Sequence, residues 1–209
     1  MKEKLEMLIL KLPSYSEELG LDLNKPEDVF KWFLASMLFA KRISTKIAKK
    51  TFERFMEDGL TTPESILAAG WDRLVEILDS GGYVRYDFST ATNILEAIKL
   101  LKDRYEGSLE ELHEEAKDSV DLEKRLMEFK GIGPIATNIF LRELRNVWYK
   151  AKPKPSSLAL KTAKRLGIKD EDIKTYESQL VRLTLEYCRK QGCKECFVRS
   201  YCKKSLRQD

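Results

Sequence analysis

No segment of this chain alternates apolar and polar residues with period two over a convincing length, whereas apolar residues return at helical spacing almost throughout. The pattern leaves no sheet to build a core on and predicts an all-α protein of ordinary helices joined by short turns. Met1 to Leu12 carries such a stripe and stops at Pro13. Pro26 opens a second helix, with Asn24 as candidate cap and Val29, Phe30, Phe33, Leu34 and Met37 as its apolar face. Ser44 caps a third, closed by Gly59, and Thr62-Pro63-Glu64 starts another with proline in its first turn. Trp71 to Leu78 follows, ending at Gly81-Gly82, and Asp87 caps a long helix to Tyr105. Ser108 to Ala116, Leu122 to Phe129, Ile135 to Val147, Leu158 to Leu166 and Asp170 to Tyr187 complete the set, with no internal repeat.

At 209 residues the chain has room for one large domain or two modest ones. Its most apolar stretch, Val29 to Ala40, is interrupted by Lys31 and ended by Lys41-Arg42, short of a membrane span. The expectation is a soluble intracellular protein with no membrane partner. The net charge of +4 says little, but its distribution says more. The tail carries Arg189, Lys190, Lys194, Arg199, Lys203, Lys204 and Arg207 against Glu195 and Asp209. A second basic run, Lys150, Lys152 and Lys154, sits in a proline-broken loop, while Glu106 to Glu123 is acidic. Such segregation gives one positive and one negative face. A merely solvated surface of the heat-adapted kind gives the same pattern. The sole histidine, His113, lies in the acidic helix and is expected to be exposed.

All four cysteines, Cys188, Cys193, Cys196 and Cys202, fall in the last stretch, separated by four, two and five residues. The tight pair Cys193 and Cys196 lets two sulfurs reach one centre from a single turn. A tetrathiolate set of this kind suits a structural zinc or a [4Fe-4S] cluster. Two disulfides are disfavoured, because the cysteines crowd into one loop instead of stapling distant segments.

Phe129-Lys130-Gly131-Ile132-Gly133-Pro134 joins two amphipathic helices. Ile132 can plug this turn into the core while the Gly131 and Gly133 amides point outward at a helix N-terminus, a phosphate site that needs no side chain. A lone Gly-x-Gly is weak, and a plain helix-helix turn explains it equally well. With an apolar helix on each side it reads as a helix-hairpin-helix, a non-specific DNA backbone clamp.

At this point the chain resembles a family. Leu126 to Ala136 (LMEFKGIGPIA), followed some fifty residues on by the cysteine loop, is similar to the endonuclease III-like branch of the helix-hairpin-helix DNA glycosylases. Phe33 to Lys41 (FLASMLFAK) resembles that family's first barrel helix, and Gly82-Tyr83 through Ile94 its glycine-turn-helix, so the likeness covers nearly the whole chain. It implies a two-lobed all-α fold: a six-helix barrel over 23–135 ending in the hairpin, and an iron-sulfur domain from 1–22 plus 136–209. It implies that Cys188, Cys193, Cys196 and Cys202 hold a [4Fe-4S] cluster, with zinc as runner-up. The family usually has six residues between its first two cysteines where this chain has four. The implied partner is double-stranded DNA, damaged or with a flipped base, bound by a monomer in the cytoplasm, at the nucleoid if the source is prokaryotic. Lys41 falls where the family fills the gap left by the flipped base. Tyr83, Val84 and Arg85 fall on the loop that wedges against the unpaired partner, and Lys130, Gly131, Ile132 and Gly133 on the clamp. Core packing is the competing role for Tyr83.

The resemblance breaks at the chemistry. The family's Schiff-base lysine position holds Ile135, so a β-lyase of the usual kind is not expected. Its required aspartate position holds Ser156, which with Ser157 looks like a helix cap. An oxocarbenium-like transition state loses its main electrostatic support there, worth several kcal/mol in analogous sites. Weak substitutes are Glu143, Asp87 (better explained as a cap) and Lys152; for Lys150, Lys152 and Lys154 phosphate contact is the favoured role. The reading is a DNA N-glycosylase of base excision repair with an atypical catalytic site. The alternative is a non-catalytic damaged-DNA-binding protein that keeps the fold, hairpin and cluster, and a more distant rival is a zinc-stapled helical nucleic-acid-binding module.

Overall fold

The computed structural model describes residues 2–203, and every regular element among them is helical. Lys204 and Arg207 of the basic tail lie outside the described residues. In order come α1 (Lys2–Leu10), α2 (Tyr15–Glu18), α3 (Pro26–Phe39), α4 (Thr45–Glu57), α5 (Pro63–Gly81), α6 (Asp87–Tyr105), α7 (Leu109–Glu115), α8 (Ser119–Met127), α9 (Pro134–Glu143), α10 (Ser157–Leu166) and α11 (Glu177–Leu183). Two 3-10 turns, Asp170–Asp172 and Arg199–Tyr201, and a π-helical turn, Thr184–Cys188, complete the list. No helix among the described residues is long and apolar enough to cross a membrane.

Most helix starts follow local chemistry. Ser44 accepts the Ile47 N–H at 3.2 Å, and Thr62 and Ser65 satisfy one another in a reciprocal capping box. Asn24 does not cap α3. Lys25 holds that position without a side-chain bond, and the Asn24 amide donates to Asp22 instead, at 2.9 Å. Nor is Asp87 a cap: it is the first residue of α6, its Oδ1 accepting the next amide, from Phe88, at 2.6 Å. Trp71 to Leu78 forms the second helical segment of α5, broken from the first at Gly70, where φ is +73° and ψ −179°, and this segment runs on to Gly81. α9 ends at Glu143, short of Val147, and the expected Asp170–Tyr187 helix is broken into a 3-10 turn, α11 and the π turn.

The chain divides into two compact units, Leu19–Pro153 and the pairing of Met1–Glu18 with Lys154–Asp209. The division falls at Pro153 rather than Ile135, since α9 packs on α3 and stays with it. In the larger unit Trp32, Phe33, Phe55, Ile66, Leu74, Phe129 and Phe140 are fully buried. The Phe33 ring meets Phe129 and Phe140 edge-on, at 5.6 and 5.5 Å between centroids. Truncating such a ring to alanine costs about 3–5 kcal/mol. α4 and α5 cross at Gly81, where any Cβ would come within 2.2 Å of Thr51 Oγ1, so only glycine fits. The smaller unit packs Leu5 and Ile9 of α1 against Ala159 and Ala163 of α10 and Leu180 and Leu183 of α11.

Candidate functional site

The turn between α8 and α9 is fixed from inside and open outside. Phe129 is held between the rings of Phe33 and Tyr105, and the Ile132 N–H donates to Phe129 O at 3.0 Å. Ile132 is 5% exposed, so it plugs the turn into the core. Gly131 has φ +80°, and a Cβ there would lie 2.8 Å from Asn93 Cβ on α6. Gly133 is different: it is extended, at φ −106° and ψ −174°, and a Cβ would meet nothing within 4 Å. The first bond of α9 runs from the Thr137 N–H to Gly133 O at 3.0 Å. The amides ahead of it therefore have no carbonyl within the helix. Among the described residues no acceptor meets the Gly131 or Gly133 N–H. This is an uncapped helix N-terminus suited to an anion. Lys130 is exposed beside it, 3.8 Å from Glu96.

Two further loops carry expected contacts. Lys41 is half-buried in the α3–α4 loop, and Arg85 is exposed in the α5–α6 loop, its guanidinium 5.5 Å from the Tyr86 ring centre. Neither forms an ion pair among the described residues. Val84 between them in sequence is 63% exposed. Tyr83 is not available to stack on a base. Its ring is fully buried, its hydroxyl donates to Leu38 O at 2.8 Å, and burial, then the nearby Tyr86 charge, pushes its phenol well above the usual range. Its work is to tie this loop to the end of α3.

The proline-broken loop divides its lysines. Lys152 and Lys154 are exposed, but Lys150 is buried, and its Nζ donates to His113 O at 2.7 Å and Glu114 O at 2.9 Å. It closes the C-terminal end of α7, where a cation is favoured, and is not free for phosphate. His113 is likewise not exposed. It is 5% accessible and stacks on Trp148 at 4.7 Å with an 8° interplanar angle. Burial lowers its pKa; the Lys150 charge adds to this and Glu114 partly offsets it.

Of the weak catalytic candidates, Glu143 closes α9 half-buried, and Asp87 is buried against Asp79. Burial, then the Asp87 hydrogen bond and charge, raises the Asp79 carboxyl. Ile135 is 67% exposed in the first turn of α9. Ser156 caps α10, accepting the Ala159 N–H at 3.4 Å, and Ser157 is that helix's first residue. The Ser156 N–H donates to Glu177 Oε1 at 2.8 Å, and Glu177 is 1% exposed. Sequence reasoning missed this buried carboxylate. A lone glutamate in a polar helix start carries no mark that sets it apart from a surface charge.

In the cysteine loop, the π turn ends at Cys188, with the Arg189 N–H reaching Thr184 O at 2.9 Å. The Cys196 N–H turns back to Cys193 O at 3.4 Å, and the Lys203 N–H pins the far end to Arg165 O at 3.0 Å. Cys196, Phe197 and Cys202 pack against the small unit's core. All four thiols are half-buried and unbridged. Burial raises the Cys196 thiol, and Cys188, Cys202 and Cys193 add to this against the Val198 amide, so all three act electrostatically on Cys196. Among the described residues no three His, Cys, Asp or Glu side chains are drawn together tightly enough to hold a metal ion.

No family model and no curated protein matches the chain. Solved structures do. A non-covalent endonuclease III–DNA complex matches at 19% identity with a TM-score of 0.58, over 86% of this chain and 85% of that one. A trapped endonuclease III–DNA covalent intermediate, an estranged-adenine complex, matches at 18% identity and a TM-score of 0.52, over 84% of each chain. The likeness shows that this all-α chain shares its fold with those endonuclease III structures.

Proposed function

We propose that this chain is a DNA-repair protein that grips duplex DNA by its backbone and acts as an N-glycosylase on damaged or mismatched bases from an atypical site. The observation that carries the reading is the hairpin: surface amides at Gly131 and Gly133 without acceptors, at an uncapped helix N-terminus, on a fold shared with two DNA-bound structures. Lys130, Lys41, Arg85, Lys152 and Lys154 add positive charge for phosphates, and Ile132 holds the turn in shape. The protein acts as a monomer, in the cytoplasm or at a nucleoid.

Cys188, Cys193, Cys196 and Cys202 would hold a [4Fe-4S] cluster. What supports this is the donor set: four thiols in one short loop, none bridged, with Cys196 and Cys202 packed on the core. Four thiolates would also satisfy zinc, which metal analysis separates. When bound, the cluster would staple the loop to the small unit.

A second reading has its own support. Ile135 supplies no amine, Ser156 no charge, and the Ser156 hydroxyl is committed to capping α10. On this second reading the protein binds damaged duplex and releases no base. One experiment separates the two: duplexes carrying different damaged bases, scored for base release apart from strand cleavage. Base release without strand cleavage supports the glycosylase; tight lesion binding with neither supports the second reading.

A further inference from the structure

We infer that Trp71 and Phe88 form a stacking platform for an unpaired nucleobase, a deepening that rests on the DNA-binding reading above. Both rings are large and exposed, 40% and 59%, and sit 5.4 Å apart at a 32° tilt. They are held there. The Gly70 kink starts the second half of α5 at Trp71, whose Nε1 donates to Thr92 Oγ1 at 3.0 Å, and that hydroxyl donates to Phe88 O at 2.9 Å. An indole whose only polar atom is tied down, with its ring left in water, is set for a flat apolar ligand.

The surroundings identify that ligand. Phe88, Thr92 and Glu96 follow one another at four-residue spacing on α6, a stripe about 12 Å long at 1.5 Å per residue. At its far end Glu96 meets Lys130, and Asn93 packs under Gly131, so the stripe runs into the hairpin's phosphate site. At its near end lies Arg85, exposed and without a carboxylate partner among the described residues. An aromatic surface between two phosphate-binding positions has the chemistry of a nucleic acid strand. Paired bases keep their faces inside the duplex, so the platform takes a base that has left the stack.

The test uses the full chain and three probes of equal length: a paired duplex, a duplex with a one-base bulge, and that bulge made of 2-aminopurine. Trp71→Ala and Phe88→Ala are compared with Trp71→Phe and Phe88→Tyr, all checked for unchanged melting. The alanine variants should bind the bulge about tenfold more weakly, with paired-duplex affinity within about twofold, and the aromatic replacements should restore binding. Wild-type protein should quench the 2-aminopurine, and the alanine variants should not. Paired-duplex binding retained, with bulge affinity and quenching untouched by either alanine, overturns the platform and leaves the DNA reading standing. Absence of binding to every probe at low salt overturns both. Self-association that Trp71→Ala abolishes assigns the face to a second copy of the chain and overturns the proposal.

Discussion

Gly131 and Gly133 sit two residues apart and should fail in opposite ways. Gly133→Val places its side chain in open space on extended backbone, so the fold has room for it. Loss of the preferred residue type at a helix cap costs at most ~1 kcal/mol. The branched side chain does stand beside the surface amide. If that amide holds a phosphate oxygen, the lost charge-assisted bond is worth about 1.5–3 kcal/mol, a tenfold to hundredfold weaker Kd at roughly 1.4 kcal/mol per decade. Because the amide carries no net charge, the log-log salt slope should stay close to the wild-type value while affinity falls at every salt concentration. Gly131→Ala loads the fold instead. A left-handed alanine costs about 1–2 kcal/mol, and forcing its Cβ against Asn93 adds about 1–3 kcal/mol. For a chain of this size that lowers melting by about 5–15 °C. Anisotropy across a salt series and thermal melts of both variants make the assay. A Gly133→Val protein that melts normally and binds duplex with wild-type affinity across the salt series would remove the hairpin amides from the interface.

Other expectations are independent of this one. Purified protein should carry about four irons per chain and little zinc, and Cys196→Ser should lose them; stoichiometric zinc in metal analysis would refute the cluster. Borohydride should trap little protein–DNA adduct, because Ile135 has no amine, and strong trapping would show that another lysine reaches the sugar. Ser156→Asp keeps a good cap and adds the missing charge, so it should create or raise base release; a silent variant that still binds lesions favours the non-catalytic reading. His113 has a folded-state pKa below its unfolded value near 6.5, so its contribution to stability is complete above about pH 6.5 and is lost as pH falls through the folded value. His113→Phe should therefore lose less stability than wild type between pH 7 and pH 5 in urea titrations, and equal losses would contradict the buried neutral histidine.

The fold was legible because helix patterning, caps such as Ser44 and Thr62, and the glycine turn are local. Individual side chains were less so, and for one physical reason: burial is decided by partners distant in sequence. Tyr83 reads as a stacking ring until Leu38 O claims its hydroxyl. Lys150 reads as a phosphate contact until the end of α7 takes its ammonium, and His113 reads as a surface residue until Trp148 covers it. Trp71 and Phe88 carry no mark in the sequence that sets them apart as surface rings, yet both are exposed, Trp71 just after the Gly70 kink and Phe88 in the first turn of α6.

The π turn that ends at Cys188 bears on how the first of the four thiols is presented. A π turn is an α-helix carrying one extra residue, and one residue is about 100° of helical rotation. The Thr184 hydroxyl lies between Leu180 O at 3.1 Å and Leu158 O at 3.3 Å, either of which its single proton can reach, and so ties the start of the turn to its surroundings. Under the cluster reading proposed above, the turn would act as a phase shifter, aiming the first thiol by rotation where a longer arm would aim it by reach. Loop length and helix phase are then exchangeable coordinates. Deleting one residue between Thr184 and Cys188 should lower the iron retained per chain, and lengthening the loop after Cys188 by two residues should restore it in the same metal analysis.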